Sequence, residues 1–198
     1  MADQYTATPY NTKLDALRGI SAKTNQAHYK LYEAYVKKAN ESLNRLHDAD
    51  KSAANQIFSD YRAASVELTF AIGGIKNHEI YFGHLGGDGK AVDGAFKVQV
   101  EKDFKSWDNY LADLKACGMA ARGWAWTVWD DDFQRLYNTP GDQQNTYAVW
   151  NAHPVVALDV YEHAYIADFS IARPDYIDAF LDNMDWQVVE DAYGKLHP

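Results

Sequence analysis

The chain has 198 residues, 47% of them apolar, with fourteen Tyr, eight Phe and six Trp, which fits one domain or two small ones with a sizeable core. A formal net charge of −9 argues against a nucleic-acid surface and demands a local basic mouth if the substrate is an anion. One cysteine, Cys117, excludes an intramolecular disulfide and fits a reducing, cytoplasmic setting. No apolar run is long enough to span a membrane, and Met1-Ala2-Asp3-Gln4-Tyr5 lacks the basic and apolar segments of a secretory leader.

Residues 1 to 20 read as an irregular arm containing Pro9. Ser21 is a plausible N-cap, and Leu31, Tyr35, Ala39, Leu43 and Leu46 recur at helical spacing as far as His47. A second helix is expected from Ala53 to His84, which makes the first ninety residues a helical hairpin. Gly86-Gly87-Asp88-Gly89 punctuates the chain, so the domains divide as 1–90 and 91–198. Gly94 to Cys117 is helical in pattern. Trp124–Trp129 alternates as a strand, Asp130-Asp131-Asp132 is a turn, and Phe133–Tyr137 returns as its partner, closed by Asn138-Thr139-Pro140-Gly141. Pro154–Asp159 reads as a third, buried strand. Helix follows from Glu162, and a last helical stretch begins at Arg173-Pro174-Asp175. The expected class is α+β: an N-terminal helical hairpin followed by an α/β domain with a small three-stranded antiparallel sheet.

The run Leu158-Asp159-Val160-Tyr161-Glu162-His163-Ala164-Tyr165 places a carboxylate and an imidazole four residues apart, able to share a helical face. Apolar neighbours put the pair near a core, where a charge needs a partner or a metal. Among seven histidines, His28 and His78 lie one on each long helix, and facing helices can aim two imidazoles at a common point. His47 and His197 look solvated, His84 suits a helix C-terminus, and His153 falls in a loop before Pro154. Three imidazoles and one carboxylate suit Mn, Fe or Zn. The chain has no H-E-x-x-H, no E-x-x-H, no Walker loop and no G-x-G-x-x-G.

With these blocks together, the chain resembles the iron/manganese superoxide dismutases from Leu14 to Tyr193. The matching blocks are Ile20–Thr24 with His28 and Tyr35-Val36, Asn77-His78, Gly123–Trp126, Asp159–Tyr165, and Arg173–Ile177 with Trp186. The resemblance implies that His28, His78, Asp159 and His163 hold one Mn or Fe ion, with a solvent molecule as fifth ligand. It implies superoxide as substrate and oxygen with hydrogen peroxide as products. It makes Tyr35 a gateway residue, Trp124 and Tyr161 the pocket walls, and Glu162 the residue that crosses a two-fold interface in a homodimer, with a tetramer of two such dimers left open. Gln143, sixteen residues before Asp159, is the candidate amide donor to the solvent ligand, with Gln144 as the alternative. Iron-type members usually carry Gln where this chain has Gly74, which points toward Mn. Lys30 and Arg173 are candidates for basic character at the entrance.

Four departures from the family pattern stand out. His28 and Tyr35 are one residue closer than in many members, which implies different helix winding. Leu31 and Ile166 replace a polar pair near the entrance, and Tyr161 and Phe82 stand where tryptophan is common. Two other readings are compatible with a metal site: a redox-inert metal-binding homologue, and a mononuclear zinc hydrolase, for which no spare carboxylate is visible.

Overall fold

The computed structural model describes residues 4–146 and 148–196; Met1–Asp3 and His197 lie outside the described residues. Helix α1 (Ala22–Asp48) begins at Ser21, whose hydroxyl accepts from the Thr24 N–H as a cap. Helix α2 (Asp60–His84) begins seven residues later than expected. Residues 54–59 are irregular, and the cap is Ser59, which accepts from the Arg62 N–H. Buried positions on α1 (Thr24, Asn25, His28, Tyr32, Val36, Ala39 and Ser42) form one stripe at three- and four-residue spacing, and α2 packs along it. In front of the hairpin the arm contains a short 3-10 turn, Thr12–Ala16.

The helix expected over 94–117 is two helices, α3 (Ala95–Phe104) and α4 (Trp107–Ala120). Lys105 takes a left-handed φ of 76°, which ends α3, and Ser106 caps α4. The sheet holds β1 (Trp124–Asp130), β2 (Arg135–Gly141) and β3 (Ala152–Asp159), all antiparallel, in the order β2-β1-β3. Asn138–Gly141 therefore belongs to a strand rather than closing it, and Pro140 is tolerated because β2 is an edge. His153 sits inside β3, opposite Trp129. Every residue of β1 is buried, because α4 packs on β1 while α2 packs on β3.

Beyond Asp159 no regular helix starts at Glu162. Glu162–Ala164 is a single 3-10 turn, followed by the short α5 (Ile166–Phe169), α6 (Arg173–Asp182) and α7 (Trp186–Leu196). The C-terminal part grips the arm and hairpin directly. Asn183 accepts from the Arg18 N–H at 2.9 Å and donates to the Arg18 carbonyl at 2.8 Å, and Leu85 bridges Met184.

His84 closes α2 but is 3% exposed, so it does not act as a charged helix-end residue. Burial pushes its imidazole down to about 4, with a backbone hydrogen bond at Val155 opposing in part. Between the ordinary 6.5 and about 4 the unfolded chain binds a proton that the native protein refuses. Stability therefore falls as pH drops through that window. In metal-free His84→Leu, the acid-side slope of unfolding free energy should flatten by about 1.4 kcal/mol per pH unit relative to wild type. Urea titrations at stepped pH measure this, and equal slopes would remove His84 from the account.

Candidate metal centre

Four chain segments bring the site together. His28 comes from α1 and His78 from α2, Asp159 ends β3, and His163 lies in the 3-10 turn that follows. Asp159 and His163 thus meet across a strand-to-turn corner and not along a helix. One ligand atom from each of the four residues lies within 4.8 Å of all the others. The Asp159 Oδ2 atom is 3.0 Å from His28 Nε2, 3.2 Å from His163 Nε2 and 3.7 Å from His78 Nε2.

Each group is aimed by its surroundings. Asp159 Oδ1 accepts the Tyr161 N–H at 2.9 Å, which leaves Oδ2 for the centre, and the Asp159 carbonyl accepts the Tyr176 hydroxyl at 2.7 Å. His78 donates from Nδ1 to the Gly74 carbonyl at 2.6 Å, so its Nε2 carries the lone pair; that atom is buried and has no partner. Burial drives His28 and His78 toward their neutral forms, His78 to about 3, with the neighbouring His28 adding to the effect. Burial alone would raise the Asp159 carboxyl, but hydrogen bonds from His163 and His28 outweigh it and hold the group well below the usual carboxylate range. Three imidazoles, those of His28 and His78 held toward neutrality by burial, one ionised carboxylate and an orphaned nitrogen pointing inward fit a single Mn, Fe or Zn ion.

Aromatic rings and amides wall the centre. Trp124 meets His78 edge-on with ring centroids 5.2 Å apart, and Tyr161 stacks on His163 at 5.3 Å. Tyr35 lies 5.4 Å from His78, again between ring centroids. The step of seven residues from His28 to Tyr35 needs no unusual winding. At 100° per residue it returns within about 20° of the starting face, and α1 is regular throughout.

Of the two amides expected at this position, Gln143 and Gln144, it is Gln144 that lies against the centre. Gln143 is exposed, and its recorded hydrogen bond runs from its backbone N–H to Thr146. Gln144 is 3% exposed; its Oε1 accepts the Trp124 indole N–H at 3.0 Å and its Nε2 donates to the Tyr35 hydroxyl at 3.2 Å. The turn before β3 selects Gln144, because Asn77 Nδ2 donates to the Gln144 carbonyl at 3.0 Å while Asn77 Oδ1 accepts from Trp126 at 3.1 Å. Two glycines on α2 make room. A Cβ at Gly73 would run into the Gln144 carbonyl, and one at Gly74 would lie 2.6 Å from the Tyr35 ring. Gly74 thus clears space for Tyr35 rather than for a glutamine.

Comparison with known proteins agrees with this geometry. Residues 4–86 match the family model described as iron/manganese superoxide dismutases, alpha-hairpin domain, and residues 92–192 match the one for the C-terminal domain. The chain belongs to the iron/manganese superoxide dismutase family. It is 41% identical to superoxide dismutase [Fe] of Aquifex pyrophilus over 90% of this chain and 86% of that one. It is 34% identical to superoxide dismutase [Fe] of Cupriavidus metallidurans over 92% and 93%. It is also 31% identical to superoxide dismutase [Mn] of Haloarcula marismortui, over 86% and 82%. Relatives of this dismutase-family chain are thus named for both metals.

The remaining expected residues fall in different places. Arg173 is half-buried; its guanidinium donates to the Ala121 carbonyl at 2.8 Å and lies over the Tyr165 ring, so much of its hydrogen-bonding capacity goes to the end of α4. Lys30 and Glu162 are exposed, as are Leu31 and Ile166 at 39% and 49%. Sequence reading gave no role to Asn77 or Tyr176, which hold the Gln144 and Asp159 carbonyls. The position of Asn77 next to a ligand histidine was the available signal for the first. Gln144→Ala should cost about 1–3 kcal/mol by leaving the Trp124 N–H buried and unpaired, against about 0.5 kcal/mol or less for Gln143→Ala. Denaturant unfolding of both variants checks the assignment.

Proposed function

We propose that this chain is an active superoxide dismutase, taking two superoxide anions and two protons to oxygen and hydrogen peroxide. The convergence of His28, His78, Asp159 and His163 within 4.8 Å carries the reading. When bound, the metal supplies one-electron cycling between trivalent and divalent states. The four residues hold it, and the Asp159 carboxylate supplies the one fixed negative charge among them. Gln144 extends its amide into the pocket from Trp124 and Tyr35 and takes the donor role. Burial and the Asp159 charge raise the Tyr35 phenol above its ordinary value, so it stays protonated at neutral pH and can hand a proton inward. Mn and Fe both suit the donors; Mn is our first choice, because the amide arrives from the loop before β3 and not from α2.

A zinc hydrolase is disfavoured: the cluster contains one carboxylate, already a ligand, and no second carboxylate joins it among the described residues. A redox-inert homologue has no need of the Trp124–Gln144–Tyr35 chain. The division of the protein near residue 90, between hairpin and sheet domain, and a cytoplasmic location belong to the same reading. No described helix is long and apolar enough to cross a membrane.

In Asp159→Ala, metal content by elemental analysis and superoxide removal should both fall to background while the fold persists by circular dichroism. Wild-type protein carrying a full complement of Mn or Fe without activity would refute the proposal. A homodimer, built around exposed Glu162 with Leu31 and Ile166, is the second part. Glu162→Ala should shift sedimentation toward monomer at low micromolar concentration, and unchanged assembly would remove Glu162 from the interface.

A further inference from the structure

The buried side-chain nitrogens and oxygens without a hydrogen-bond partner, among the described residues, are Asn25 Oδ1, His28 Nδ1, His78 Nε2 and His84 Nδ1. His78 Nε2 faces the metal position, and His84 lies at the far end of α2. That leaves one oxygen and one nitrogen, both on α1 and three residues apart. Asn25 is fully buried and His28 is 1% exposed. Buried polar atoms are seldom left unpaired, and each such pair calls for a physical reason.

We infer that Asn25 is a positioning residue for the metal ligand His28, accepting the Nδ1–H of that imidazole through Oδ1 once the ion is bound. This rests on the metal-site reading above. A neutral histidine that gives its Nε2 lone pair to a metal carries its proton on Nδ1, and that N–H needs an acceptor. On α2 the acceptor is the Gly74 carbonyl, one turn before His78. On α1 no carbonyl is bonded to His28 Nδ1, and one turn before it stands Asn25. Side chains on a helix lean toward its N-terminus, so His28 leans over the Asn25 turn. The Leu14 carbonyl can only accept, and it takes Asn25 Nδ2–H at 2.7 Å, which fixes the free atom as the oxygen. The 3-10 turn of the arm is thereby tied to the orientation of a ligand.

The test compares wild type with Asn25→Leu and Asn25→Asp. Both variants lose the amide donor to Leu14, but only the aspartate keeps an oxygen for His28. Mn(II) affinity, read by chelator competition, should fall about 10–100-fold in Asn25→Leu and recover most of that in Asn25→Asp. Co(II)-loaded wild type should show a solvent-protected His28 Nδ1–H resonance that Asn25→Leu lacks. Equal Mn(II) affinity in wild type and Asn25→Leu would overturn the inference and leave the metal site standing. So would a crystal structure of Mn-loaded wild type with Asn25 Oδ1 beyond hydrogen-bond reach of Nδ1, a result that holds even if a variant fails to fold. Wild type that binds neither Mn nor Fe would fail at the earlier step, by a different readout.

Discussion

A single fully buried carboxylate organises this protein. Asp159 lies at the end of a central-sheet strand with one oxygen bonded to the backbone and the other facing three imidazoles. A carboxylate in that position is expensive unless a positive charge meets it, and neutral imidazoles meet it only with hydrogen bonds. Burial favours the neutral forms of His28 and His78, and a bound cation would supply the charge that Asp159 lacks there. Hairpin and sheet are each placed so that their donors reach this one oxygen.

Packing around the centre follows from how closely α2 approaches its neighbours. Gly73 and Gly74 remove two side chains, and the vacated space is filled by the Gln144 carbonyl and the Tyr35 ring. Asn77 then joins the sheet tryptophan Trp126 to the loop of Gln144, and Gln144 joins Trp124 to Tyr35. Each polar atom in this chain has a partner, which gives a rigid wall in a region that could not tolerate an unpaired amide.

Much of the architecture was legible in the chain, because periodicity and motif spacing are local. The long helix α1, the Ser21 cap, the order of three strands and the four side chains that converge were all readable. The errors came where tertiary packing decides. Periodicity alone does not mark Ser59 and Ser106 as caps that restart helices, so it runs α2 back to Ala53 and joins α3 to α4. Neighbouring amides at 143 and 144 look alike in sequence; only the hydrogen bond from Asn77 to the backbone selects the second. Asp159 and His163 were paired by helical spacing, and they meet instead because the strand ends and turns. Asn25 gave no signal, since a polar residue three before a histidine has meaning only once both are known to be buried.

The four candidate donors come from residues 28, 78, 159 and 163, two before the glycine-rich crossing and two after it. Neither half can capture an ion with more than two of its own side chains. An ion held by all four would therefore tie the hairpin to the sheet, and its binding free energy would count toward the docking of the two.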